Sequence, residues 1–201
     1  MEKKVIVTLG RQFGSGGRQL GKRLAELLGI AYYDRELMEE MAKHSGLDVS
    51  YLEERDEHIP GFFDYALVGR YGTTRLFGSG QNFVMLSETL KRIANKKSCL
   101  IVGRTADYIL RNRCKVISVF LHASMADRVK RIMARGDCKT EKEAMVCAEK
   151  TNKMRANYYN FYTDNKWGEA ETYDLCINAS VLGDKNTAQM IVDYVKKAIQ
   201  Q

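Results

Sequence analysis

The sequence predicts an α/β protein, a three-layer α/β/α domain built on a five-stranded parallel sheet. Three observations predict it. Five short apolar runs rich in β-branched or aromatic residues are spread along the chain. Patterns of helical period separate them, and several runs are apolar throughout, as strands covered on both faces of a parallel sheet are. A glycine-rich turn joins the first run to the first helical pattern.

The first strand is residues 5–9, Val5-Ile6-Val7-Thr8-Leu9, and Leu20, Leu24, Leu27 and Leu28 mark one face of the helix that follows the turn. The second strand is 30–33. Leu37, Met38, Met41 and Ala42 mark the next helix, which Gly46 closes. Residues 47–82 break the rhythm: they hold Pro60, Gly61, Gly69, Gly72, Gly78 and Gly80 with scattered aromatics, and read as a partly helical insertion. Strands at 98–102, 115–121 and 174–178 complete the sheet. Ser124 with Asp127, and Thr140 with Glu143, have the spacing of a capping box and start two further helices. Ile191, Val192, Val195 and Ile199 carry the last helix.

With 201 residues, 45% of them hydrophobic, the chain suits one domain over residues 1–201. It has no run of about 18 apolar residues, so the expectation is a cytoplasmic protein without a membrane span. Cys99, Cys114, Cys138, Cys147 and Cys176 are widely spaced and form no CxxC pair, which points to buried or free thiols. The histidines His44, His58 and His122 have no ligand spacing, which argues against a zinc site. The formal charge of +7 calls for an acidic partner, whether nucleic acid, a membrane surface or a small phosphorylated molecule.

Gly10-Arg11-Gln12-Phe13-Gly14-Ser15-Gly16-Gly17-Arg18-Gln19 lies between strand and helix. Small residues there let successive N–H groups point inward, and the helix start adds partial positive charge, so a phosphate suits the position. Two other readings stay open. A dinucleotide-binding turn fits Gly14, Gly16 and Asp34, although Gln19 stands at the third glycine position; a purely structural turn is the other.

Val5 to Gly29 resembles the first strand, P-loop and first helix of the cytidylate kinase-like family of P-loop nucleoside-monophosphate kinases. Tyr33-Asp34, Val102-Gly103-Arg104, the Arg-bearing helix after Phe120-Leu121-His122-Ala123-Ser124, Tyr158-Tyr159, Tyr162, Trp167-Gly168 and Tyr173-Asp174-Leu175-Cys176-Ile177-Asn178 extend the likeness. It implies a P-loop kinase fold with an acceptor-binding insertion at 47–82 and a helical lid at 124–167. Aligning Gly14-Ser15-Gly16 with the family's loop puts Gly17 where the phosphate-binding lysine belongs and Gln19 where a hydroxyl residue is usual. Thr105 replaces the aspartate of the family's Gly-Arg-Asp motif, with Asp107 two residues on, and Asn152 replaces the aspartate of Asp-x-x-Arg before Arg155.

The resemblance therefore implies ATP and Mg²⁺ as cofactors and nucleotides as substrates, with CMP or dCMP as leading acceptor. Arg11, Gly14, Ser15, Gly16, Gly17, Arg18 and Gln19 are candidates for the donor nucleotide, and Arg18 takes the place of the lysine's charge. Asp34, Arg35, Arg104 and Asp107 are candidates for the acceptor; as an alternative, Asp34 serves only as a helix cap. Arg128, Arg131 and Arg135, spaced along one helix face, and Lys153 and Arg155 on the next helix are candidates for neutralising the transferring phosphoryl group. No metal ligand is assigned. A non-catalytic nucleotide-binding protein and a basic RNA-binding module are the rivals, the latter ranking last. Oligomeric state is open.

Overall fold

The computed structural model describes residues 4–54 and 77–200. The elements run β1 (Val5–Arg11), α1 (Gly17–Leu28), β2 (Ala31–Tyr33), α2 (Glu36–Ser45), α3 (Val49–Glu54), α4 (Phe77–Lys96), β3 (Cys99–Val102), α5 (Ala106–Leu110), β4 (Lys115–His122), α6 (Met125–Ala134), α7 (Glu141–Tyr162), a 3-10 turn (Ala170–Thr172), β5 (Leu175–Asn178) and α8 (Ala179–Gln200). The sheet has the order β2-β3-β1-β4-β5, and every pairing is parallel. The five strands fall within one or two residues of the sequence expectation.

Pleating of β1 divides the core. Val5, Val7 and Leu9 point to one face, where Leu20 and Leu24 of α1 and Ile191, Val192 and Val195 of α8 cover them. Ile6 points to the other face and joins Leu37, Met41, Leu90 and Ile101. Helix α4 has no counterpart in the sequence reading beyond residue 82, because Ser87 and Thr89 interrupt its apolar face; Leu86, Leu90, Ile93 and Ala94 nevertheless bury it on the second cluster. Of the expected insertion, α3 and the start of α4 are helical, and 55–76 lie outside the described residues.

Both expected helix starts are present. Ser124 Oγ accepts the Asp127 N–H, and Thr140 with Glu143 forms a reciprocal capping box at α7. Helices α6 and α7 pack through Val129, Ile132, Ala144 and Ala148. Helix α8 is broken at Gly183, whose φ of 70° and ψ of 168° are not helical. No helix among the described residues is long and apolar enough to cross a membrane. All five cysteines are unpaired, and burial pushes the Cys99 thiol up to about 12.

Register places the site. Leu9 stands opposite Val102 and Val119, and Arg11 opposite Leu121, so β1, β3 and β4 end side by side. The glycine turn, Gly103-Arg104 and His122 therefore leave the sheet along one edge, where ligands of open parallel sheets bind.

Candidate functional site

The turn after β1 is held by its own backbone. Gln12 N–H donates to Leu121 O at 3.0 Å, and Ser15 donates to Gln12 O from both N (3.3 Å) and Oγ (2.8 Å). Gly14 and Gly16 have φ of 79° and 87°, which disfavour any side chain, and a Cβ at Gly14 would lie 2.8 Å from the Arg128 carbonyl oxygen. Gly16 caps α1 without a side-chain acceptor, so the first N–H groups of α1 are open to an anion.

Helices α6 and α7 grip this turn through Phe13. Its N–H donates to Asn152 Oδ1 at 2.8 Å, its carbonyl accepts Arg128 Nε at 2.7 Å, and its ring packs on the α6–α7 cluster with the guanidinium carbons of Arg135 and Arg155 at 5.1 and 5.8 Å from its centroid. Arg155 Nη1 also donates to Arg11 O at 3.1 Å. Arg128 is 5% exposed, and burial lowers its pKa. Its Nη2 and the Nη1 of Arg131 are buried without a hydrogen-bond partner among the described residues. Arg131 Nε lies 3.6 Å from where a Cβ on Gly16 would stand, while Nη2 pairs with Asp184 Oδ1 at 2.9 Å beside the break in α8. Arg135 is paired with Asp137 at 2.6 Å. Lys153 and Gln19 are exposed.

Across the groove, Asp34 is 4% exposed and accepts Arg18 Nε at 2.7 Å, with Arg104 Nη1 at 3.9 Å. The cap reading of Asp34 gives way to this pairing: Arg35, itself exposed, holds the N-cap position of α2, and no side chain caps that helix. Gly103, Arg104 and Thr105 form three successive left-handed residues, with φ of 72°, 62° and 51°. Each of the two non-glycine residues costs about 1–2 kcal/mol in that conformation, and strain of this kind gathers at ligand sites. Asp107 Oδ2 accepts the Tyr159 hydroxyl at 2.6 Å; burial raises both its carboxyl pKa and that of the Tyr159 phenol. Thr8, Gly10, Arg11, Arg104, Asp107 and Arg155 help line a cavity of ≈ 20 Å³, about room for one water.

The donor set fits a polyphosphate and not a metal held by protein alone. Two buried guanidinium N–H groups converge on the glycine turn, whereas no group of three metal-binding side chains exists among the described residues. Ser15 Oγ gives its proton to Gln12 O and keeps its lone pairs, but no metal-binding cluster of side chains joins it among the described residues, so any Mg²⁺ would take most of its oxygens from the nucleotide and waters.

The sequence profile of the cytidylate kinase-like family matches residues 6–181. The chain belongs to the cytidylate kinase-like family. It is similar to the cytidylate kinase of Pyrococcus horikoshii, 25% identical over 98% of this chain and 88% of that one, and to that of Methanothrix thermoacetophila, 23% identical over 96% and 98%. A crystal structure of an uncharacterized protein from Eubacterium ventriosum superposes with a TM-score of 0.73 at 29% identity, covering 96% of this chain and 99% of the other. Shikimate kinase from Acinetobacter baumannii, at 16% identity and a TM-score of 0.53 over 97% and 94%, shares the P-loop kinase fold alone.

Of the residues expected from sequence, the structure brings Arg11, Gly14 to Arg18, Arg128, Arg131 and Arg155 together around the turn, and Asp34 with Arg104 opposite it. Arg35, Gln19 and Lys153 point to solvent. Sequence reading missed Phe13, Asp184 and the Tyr159–Asp107 bond. Asn152 had signalled itself only as a departure from the family's aspartate, and a lone aromatic in a glycine turn carries no periodic signal.

Proposed function

We propose that this chain transfers the γ-phosphoryl group of ATP to a nucleoside monophosphate, CMP or dCMP foremost. The observation that carries this reading is a pair of guanidinium nitrogens beside the glycine turn, Nη2 of Arg128 and Nη1 of Arg131, each buried without a hydrogen-bond partner among the described residues. A buried N–H without an acceptor is costly, and a triphosphate supplies the acceptors these two lack. Arg104 and Asp34 form the acceptor wall, and residues 124–167 act as the lid. Phosphoryl transfer needs no side-chain nucleophile, only alignment and charge neutralisation, which is what this set of residues offers.

A second reading, a nucleotide-binding protein without turnover, draws on Gly17 at the lysine position and on Arg18 being held by Asp34. A coupled ADP-release assay with Mg-ATP across the common nucleoside monophosphates separates the two. The kinase reading expects ADP with CMP or dCMP and a loss of about tenfold in Arg18→Ala, the worth of one charge-assisted hydrogen bond. ATP binding with no ADP from any acceptor would establish the second reading. Turnover unchanged in Arg18→Ala would remove Arg18 from the site.

A further inference from the structure

We infer that Arg11 supplies the phosphate-neutralising charge that other P-loops take from the lysine of G-x-x-x-x-G-K-[ST], an inference that rests on the nucleotide reading above. Setting Gly16 on the motif's second glycine puts Arg11 on the first glycine and Gly17 on the lysine. A glycine and a cation have exchanged places within one turn.

The structure gives the steric reason. Gly17 is the first residue of α1 and has an ordinary helical φ, so its backbone does not demand glycine. Its neighbours do. A Cβ there would lie 2.9 Å from both Cβ and Cγ of Arg11, closer than such atoms come, and the next atom, Leu121 Cδ2, is 3.8 Å away. The stem of Arg11 thus fills the space in which a side chain at position 17 would begin. Arginine at 11 and lysine at 17 exclude one another.

The rest of Arg11 suits the task. Its residue is fixed by pairing with Leu121 in β4 and by Arg155 Nη1 on its carbonyl. Arg11 is one of the residues lining a small cavity with Arg104 and Arg155, and its Cβ and Cγ lie against the first residue of α1. Arg18 has a side chain 56% exposed, against the half-buried Arg11. A guanidinium fork between two phosphoryl oxygens holds them bidentately, where a lysine offers a point charge. The role is electrostatic, and no bond to Arg11 forms or breaks.

A double-mutant cycle tests it, reading ATP affinity by calorimetry, kcat with the best acceptor, and the melting temperature of each variant. Arg11→Gly is expected to lower kcat about 100-fold, as loss of a preorganised charge stabiliser does, and to weaken ATP binding at least tenfold. Gly17→Lys alone is expected to melt early. Arg11→Gly/Gly17→Lys, in which both atoms at 2.9 Å are gone, should regain at least tenfold over Arg11→Gly, while Arg11→Gly/Gly17→Met, which fills the space without charge, should not. Arg11→Gln keeps most of the stem and should lose affinity without unfolding, which covers the case of a double variant that fails to fold. The inference is overturned if Arg11→Gln binds ATP like the parent, or if a folded double variant is no better than Arg11→Gly. A parent that binds ATP but makes no ADP defeats the phosphoryl-transfer reading, and the affinity arm then decides Arg11 alone.

Discussion

The face of the sheet beneath α1 and α8 and the edge where β1, β3 and β4 end are built from the same strands by opposite rules. On the face, Val7, Leu9, Leu24, Leu100, Val119, Leu121 and Ile191 are fully buried and carry no polar side-chain atom. At the edge, Asp34, Arg104 and Arg128 are buried as charges, and two non-glycine residues sit in left-handed conformations. Burying apolar side chains stabilises by roughly 1.5–3 kcal/mol each, whereas burying a charge opposes folding unless partners compensate it. The face explains why the chain folds, and the edge must be kept for some other reason.

The largest expected effect tests the face. Leu24→Ala should cost about 2–5 kcal/mol, read as an earlier denaturant midpoint, while ATP affinity of the folded protein stays at the parent value. Next comes the edge: Arg104→Gly should lower turnover by about 100-fold. Its melting temperature should fall less than that of Arg104→Ala, since both lose the arginine's contacts while only glycine relieves the φ of 62°, worth about 1–2 kcal/mol. Equal melting of the two variants would mean that the left-handed backbone carries no strain at this edge.

The smallest effect is a pH dependence at Asp107. Burial raises its carboxyl pKa above the 3.8 of the free side chain, so the folded protein holds a proton that the unfolded chain releases. The stability from this group is complete below that free value and is lost as pH rises through the raised one. Asp107→Asn should therefore gain on the parent as pH rises above the free value of 3.8, compared by urea midpoints. A difference that stays constant as pH rises would show that burial does not govern this carboxyl.

The face was legible in the sequence because it is periodic. Val5, Val7 and Leu9 alternate, Leu20 and Leu24 recur at helical spacing, and Ser124 and Thr140, each with an acidic partner three residues on, announce the helices that follow them. The edge was legible only as residue types. Arg104 and Asp34 could be named, yet the left-handed run of Gly103 to Thr105 has no propensity signal beyond its glycine, and the pairings of Arg18 with Asp34 and Arg131 with Asp184 depend on distances that only the folded chain sets. Helix α4 fell between these cases, since the buried Ser87 and Thr89 hid its apolar face.

Phe13 hangs from two helices at once, its N–H on α7 and its carbonyl on α6. A rotation of the backbone around this one residue would break both bonds together, so the two helices are mechanically tied to each other through a single residue of the turn, with Arg155 on Arg11 O as a separate tether.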